Sequence, residues 1–354
     1  MKNIHDKIRR GERIDVEEAV VLYENAELFE LGSLALEVRR KKNSDLVYYN
    51  RNFHIEPTNI CRFNCRFCSY RKHSEDQEAW NMSIEDVERY VKSHYHEGIT
   101  EVHLVGGVHP QHDIDHYYSI IKTVRDNVPD NVAVKAFSAI EHIAVAKQGG
   151  MSFSDGLEYL MDAGMDTITG GGAEILDDEI RKDICPDKPG SEEWLELHKA
   201  AHLLGMKTGA TMLYGHIETV RDRMKHMDKL RKLQDETAGF NSFIPLKFRS
   251  KNNSMEHLGE CSIVEDLKTL AIARIFLDNI DHIKAYTPMY GSRTSQMALL
   301  FGADDLDGTV EDTTKIYSMA GVGETAGGED TLKRMASEAG FRAVERDTFY
   351  NIIK

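Results

Sequence analysis

The sequence predicts an α/β protein: a (β/α) barrel with a helical extension at its N-terminus and a further extension at its C-terminus. Three observations predict it. Short β-rich runs alternate with longer helical ones seven or eight times, as parallel β/α units do. A chain of 354 residues, 41% hydrophobic and 29% charged, is long enough to close such units into one barrel with a solvated surface. The unusual residues ("VGGVHP", "KAFSAIE", "TGGGAEI", "TMLYGH", "IPLKF") fall at the C-terminal ends of predicted strands. A barrel gathers those ends at one mouth, where barrel active sites sit. An open doubly wound sheet is the alternative closure.

The elements follow in order. Asp15 and Glu18 form a capping-box pattern ahead of an apolar helix through Val16, Ala19, Val20 and Leu22, and a second helix is expected over 27–40. "NFHIEP" is the first barrel strand, and Ser83 opens a helix with Ile84, Val87 and Val91 on one face. "EVHLVGG", "VAVKAFS", "DTITGGGAE", "KTGATMLYGH", "FNSFIPL" and "HIKAYTPMYG" read as strands with helices between them. "ADDLDGTV" adds a short last strand and "DTLKRMASEAG" a last helix. The expected division is a helical extension over 1–50, a barrel over 51–310 and a C-terminal extension over 311–354 packed on the barrel.

Composition narrows the function. A formal net charge of −15 argues against a phosphate-binding face for nucleic acid. No apolar run approaches the ~18 residues that span a membrane. The N-terminal charges are followed by no apolar stretch, so no secretory signal is read and the cytoplasm is the expected compartment. Five cysteines, three clustered and two alone (Cys185, Cys261), are not a disulfide framework.

"CRFNCRFCSY" places Cys61, Cys65 and Cys68 in a C-x3-C-x2-C pattern, in a loop directly after the first barrel strand. Zinc held for stability would want a fourth ligand, which His54 or His73 could supply. That reading, a non-catalytic zinc scaffold, is the rival from another class. An iron–sulfur cluster held by three cysteines keeps one iron without a protein ligand, and an open position means chemistry.

Two lysines sit in predicted barrel strands, Lys135 in "VAVKAF" and Lys284 in "HIKAY". Parallel strands covered on both faces are normally apolar. Each lysine therefore pairs with a structural acid, points out at a strand end, or binds an acidic substrate. Arg293 is a third cation suited to a carboxylate. His54, His109 and His216 lie at strand ends, able to hydrogen-bond substrate or relay a proton. His198 and His202 are four apart on a helix, but without an H-E-x-x-H pattern they read as packing or surface residues. Met212 and Met289 read as core or pocket lining, and Cys185 and Cys261 as unligated thiols.

The cysteine spacing, with Phe67 before the third cysteine, resembles the radical S-adenosylmethionine (radical SAM) superfamily. The resemblance implies a barrel of the radical SAM type and a [4Fe-4S] cluster. It implies SAM chelating the open iron, and one-electron cleavage to a 5′-deoxyadenosyl radical. It also implies cofactor-binding positions. Gly106 and Gly107 would receive the SAM ammonium, and Phe67 and Tyr70 would flank the adenine. Ser138 and Glu174 would take methionyl or ribose groups. "TMLYGHIE" is similar to the adenine-contact motif G-x-I-x-G-x-x-E, with Leu213 in place of isoleucine and Thr211 in place of the first glycine.

Longer blocks, among them "HIEPTNICRFNCRFCSYRK", "RKDICPDK", "HKAAHLLGMKTGATMLYGHIET", "LQDETAGFNSFIPLKF" and "VERDTFYN", resemble the aminofutalosine synthases across nearly the whole chain. That resemblance implies addition of the adenosyl radical to 3-[(1-carboxyvinyl)oxy]benzoate, aryl migration and loss of carboxylate. The products are 6-amino-6-deoxyfutalosine and methionine, on a route to menaquinone. SAM is then consumed, the substrate carries two carboxylates, and a flavodoxin or ferredoxin supplies the electron. Cyclic dehypoxanthine futalosine synthase and the deazaflavin-forming synthase subunits, whose radicals abstract hydrogen, are the nearest rivals. Oligomeric state is not legible in the sequence.

Overall fold

The computed structural model describes residues 1–310, 313–323 and 327–353. The expected C-terminal extension therefore includes 311–312, 324–326 and 354, which lie outside the described residues. Ten strands are described: β1 (Leu46–Asn50), β2 (Asn52–Ile55), β3 (Glu101–Leu104), β4 (Ala133–Ser138), β5 (Thr167–Thr169), β6 (Thr208–Tyr214), β7 (Phe240–Lys247), β8 (His282–Ile283), β9 (Asp305–Gly308) and β10 (Arg342–Glu345). All the described strand pairs are parallel, in the orders β2-β3-β4-β5, β6-β7-β8 and β10-β1-β9.

Shorter contacts close the three ladders into a barrel. Between β5 and β6, Thr211 Oγ1 donates to Gly170 O at 2.6 Å and Thr167 Oγ1 to Lys207 O at 2.5 Å. Lys284 and Asp305 form a parallel bridge from the end of β8 to β9, and Ala285 N–H donates to Asp305 O at 2.8 Å. From β9 to β2, Asn52 N–H donates to Thr309 Oγ1 at 3.2 Å and Val310 N–H to Asn52 Oδ1 at 2.8 Å. The barrel expectation holds, and "ADDLDGTV" supplies the closing strand β9.

Both capping boxes form. Asp15 accepts from Glu18 N–H at 2.8 Å, and Ser83 pairs reciprocally with Asp86. Two strands were not foreseen. Residues 46–50, expected within the helical extension, form β1, and β10 pairs with it outside the barrel. The run "LVYYN" is too short for periodicity to separate from a helix end; pairing with β9 and β10 decides it. The apolar interior is one large cluster that includes Phe53, Ile55, Val102, Val134 and Phe243, with a small second cluster under β1 and the helix Glu329–Glu338. No helix among the described residues is long and apolar enough to cross a membrane.

Candidate active site

The loop from β2 to the helix Ile84–His94 carries the three cysteines into a cavity of about 280 Å³ at the barrel mouth. Short hydrogen bonds to the barrel fix its path. Arg62 N–H donates to Val108 O at 2.8 Å, and Val108 N–H donates to Cys61 Sγ at 3.3 Å. The turn after β3 is glycine because the loop runs against it. A Cβ on Gly107 would lie 2.4 Å from Ile60 O, and one on Gly106 would lie 2.9 Å from Thr58 O. Both glycines face the cavity. Gly106 N–H donates to the buried Glu141 carboxylate at 3.1 Å, which also accepts Ser138 N–H at 2.6 Å. Burial pushes the Glu141 carboxyl up to about 7.

All three thiols line this cavity, and no group of three or more His, Cys, Asp or Glu among the described residues converges as ligands of a single ion must. Neither histidine offered for zinc closes a shell: His73 is exposed and contacts Arg71 at 2.8 Å, and His54 stands by His103 at 4.4 Å between ring centroids. Burial raises the Cys65 and Cys68 thiols, so both thiolates need a nearby positive charge. Thiols spread around one cavity wall, without a fourth side-chain ligand, fit a [4Fe-4S] cluster with one open iron rather than a tetrahedral zinc.

Phe67, Tyr70, Ser138 and Glu174 also line the cavity. Tyr70 donates its hydroxyl to Thr58 O at 3.0 Å and packs edge-on to Trp80. Ser138 caps the helix that follows β4. Glu174 holds a left-handed φ of 48°, uncommon for a residue with a side chain, and accepts Lys188 Nζ at 2.5 Å. Leu213 lines a smaller adjoining cavity that shares Phe67, Tyr70 and Glu174.

Deeper in the barrel, His54, His103 and Lys135 form one row across β2, β3 and β4 and all reach the cavity. Neither ring nitrogen of His54 has a hydrogen-bond partner. Burial lowers its pKa to about 4, so the ring is neutral near pH 7. Lys135 Nζ stands 3.8 Å from Glu101 Oε2, beyond hydrogen-bond range. Burial would raise the Glu101 carboxyl, but Lys135 and Lys284 hold it down at about 2. Lys284 is committed differently: its ammonium donates to Asp307 Oδ1 at 2.6 Å, and Arg346 stands 3.7 Å from the same oxygen. For Lys284 the structural-pair reading holds.

Other expected residues are not brought together. Arg293 lies on the short helix Ser292–Ala298 and does not line the cavity, because the chain turns away after Tyr290. His216 is held in the turn after β6, 3.2 Å from Leu213 O and 3.1 Å from Glu218, outside the main cavity. Glu218 itself accepts Gly215 N–H and Arg223 Nε, a turn-closing role. His109 accepts from Gln111 N–H and stacks on His112. His198 and His202 are buried against Thr208, each 2.9 Å from its hydroxyl. Met212 and Met289 are buried core. Lys188, Arg71, Asp307 and Tyr286 line the cavity and were missed. They lie in "RKDICPDK", "YRK", "ADDLDGTV" and "HIKAYTPMYG", and nothing in a side chain's sequence position tells which way it points.

Comparisons with known proteins give the family and the fold. The radical SAM superfamily profile matches residues 55–230, and the CofH/MqnC C-terminal region matches 237–354. A relative from Streptomyces coelicolor named aminodeoxyfutalosine synthase is 39% identical over 100% of this chain and 94% of its own length. One of the same name from Thermus thermophilus is 38% identical over 99% and 95%. A 5-amino-6-(D-ribitylamino)uracil–L-tyrosine 4-hydroxyphenyl transferase from Methanoculleus marisnigri is 36% identical over 100% and 98%. Methylornithine synthase, at 15% identity, shares the fold with a TM-score of 0.76 over 96% of this chain and 97% of its own. The maturase HydG shares it with a TM-score of 0.75, at 18% identity, over 97% and 75%. Members of this superfamily use a [4Fe-4S] cluster, SAM and an external electron donor, and three thiols, a glycine-lined mouth and a deep cavity are what those need. The chain belongs to the radical SAM superfamily, among the enzymes that carry the CofH/MqnC C-terminal region.

Proposed function

We propose that the chain carries out the aminodeoxyfutalosine synthase reaction. It joins the 5′-deoxyadenosyl group of SAM to 3-[(1-carboxyvinyl)oxy]benzoate and releases methionine and bicarbonate or CO2. The product is 6-amino-6-deoxyfutalosine, for menaquinone. The observation that carries the reading is a match of cavity charge to substrate. Among the described residues, Lys135 and Arg71 are the cavity-lining cations that hydrogen-bond to no acid. The substrate offers two carboxylates. The full-length relatives bearing that name add support.

The cluster and SAM supply the carbon radical; the chain binds, orients and excludes water. Lys135 takes one carboxylate at the barrel floor, Arg71 the other beside the cysteine loop, and neutral His54 offers a donor to the same floor group. Tyr286 and Tyr317, 5.3 Å apart between ring centroids, cover the space between. Holding the double bond close to the adenosyl carbon favours addition over escape. A flavodoxin or ferredoxin is the proposed reductant.

The second reading is the tyrosine 4-hydroxyphenyl transfer named for the archaeal relatives. Asp307, which lines the cavity beside Lys284, favours it, because an amino acid brings an ammonium that such an acid could hold. SAM carrying carbon-13 at the 5′ position separates the two. Under anaerobic turnover with the enol-ether benzoate, the label should enter aminofutalosine alongside one methionine per product. Label collecting as 5′-deoxyadenosine while tyrosine is consumed would transfer the assignment to the second reading.

A further inference from the structure

The segment 183–188, outside the cysteine loop, clasps it on both sides of Cys65. Asn64 donates its backbone N–H to the Asp187 carboxylate at 3.2 Å and its side-chain amide to the same oxygen at 2.9 Å. Arg66 donates its N–H to Ile184 O at 2.8 Å and its guanidinium to Asp183 O at 3.1 Å. The clasp is made by backbone and by Asp187. The next residue, Lys188, takes no part in it and sends its side chain into the cavity with Cys65 and Cys68. Its ammonium stands 5.3 Å from the centre of the Phe67 ring and is anchored to Glu174 at 2.5 Å. The Lys188 side chain is 13% exposed and that of Glu174 is 9%.

We propose that Lys188 is a positioning charge that raises the reduction potential of the cluster held by Cys61, Cys65 and Cys68, with Glu174 as the counter-charge that tempers it. The one-electron step adds a negative charge to the cluster, supplied by the external reductant, with no bond made or broken. A fixed cation on the cavity side of the thiolates stabilises the reduced form, and low local dielectric keeps that effect from being screened. The ammonium is the end of the pair that lies over the Phe67 ring, next to Cys68, so the positive charge faces the cysteine loop. The ion pair with Glu174 at 2.5 Å keeps the Lys188 ammonium charged in the cavity. This role is independent of which substrate the barrel takes.

The test is a potentiometric titration, followed by electron paramagnetic resonance, of the reconstituted full-length protein without SAM or substrate. In Lys188→Met the reduced-to-oxidised ratio at a given potential should fall at least tenfold, about 59 mV for one electron. Lys188→Arg, which keeps the charge, should stay within about threefold of wild type, about 28 mV on the same scale. Glu174→Gln should move the potential upward. Opposite signs for the two partners are something loop disturbance would not produce. A Lys188→Met protein with full iron content and a wild-type potential would overturn the proposal, as would a downward shift in Glu174→Gln. If Lys188→Met takes up no iron, Glu174→Gln decides: an upward shift supports the proposal and any other result overturns it.

Discussion

Lys135 and Lys284 are both buried barrel lysines, and their neighbours separate them. Lys284 is half of an ion pair with Asp307 at 2.6 Å, so Lys284→Met takes the hydrogen-bonded cation from a buried carboxylate and leaves it only Arg346, 3.7 Å away. That costs about 3–5 kcal/mol of stability, and a clearly lowered melting temperature should report it. Lys135 leaves less behind, because Glu101 still accepts the Thr348 hydroxyl at 2.7 Å. Lys135→Met should melt near wild type yet lose about 2–5 kcal/mol of substrate binding with SAM binding intact. Equal melting losses in the two variants would contradict this split. The cysteines are as unequal. Cys61→Ala, Cys65→Ala and Cys68→Ala should each abolish turnover and lower iron per chain. Cys185→Ala and Cys261→Ala should keep the cluster, since Cys185 packs in the core and Cys261 bonds to Asp266 at 3.3 Å. Iron lost from either of the last two would show that the ligand set is incomplete.

One element makes the site possible, the turn after β3. It lets two backbones touch where any side chain would part them. Gly107→Ala would drive its new methyl into Ile60 O, one residue before Cys61. Backbone must give way there, not a flexible side-chain tip, and the loop is the movable partner. The expected outcome is more than half the iron lost, with far-UV circular dichroism and melting of the barrel nearly unchanged. A Gly107→Ala protein that reconstitutes to wild-type iron would mean that the loop path is not set by this contact. Segment 183–188 is the second such element, holding the same loop from the other side.

The molecule as a whole buries histidines in neutral form. Burial lowers His54, His142 and His202 to about 4 and His226 to about 3 from an ordinary 6.5. Between those values and 6.5 the unfolded chain binds more protons than the folded one. The stabilisation is therefore complete above pH 6.5 and is lost as pH falls, up to about 3 kcal/mol for each of the three near 4 and about 5 kcal/mol for His226. Glu56 and Glu141 oppose it. Burial raises both to about 7 from 4.5, so their contribution is present below 4.5 and declines as pH rises toward 7. Four histidines outweigh two carboxyls, so the urea midpoint should fall steadily from pH 6.5 to pH 5. A midpoint that is flat or rises over that range would show that the imidazoles are not held neutral.

Alternation of β-rich and helical runs made the barrel legible, because a parallel strand must be followed by a crossover long enough to return the chain. C-x3-C-x2-C made the candidate cluster site legible, because all three cysteines lie within eight consecutive residues and need no long-range contact to be found. Capping boxes at Asp15 and Ser83 were legible for the same local reason. Strand β1 was not, since five residues carry too little period and their partners lie some 260 and 300 positions away. Nor were the fates of the charges. Lys188, unremarked in sequence, points into the cavity, while Arg293, singled out, does not reach it. Lys284 pairs with Asp307 and Lys135 finds no hydrogen-bonding acid. A sequence determines local hydrogen bonding and the rhythm of burial over a few turns. Which charges meet, and which are left to meet a ligand, is decided only when strands distant in the chain close on one another.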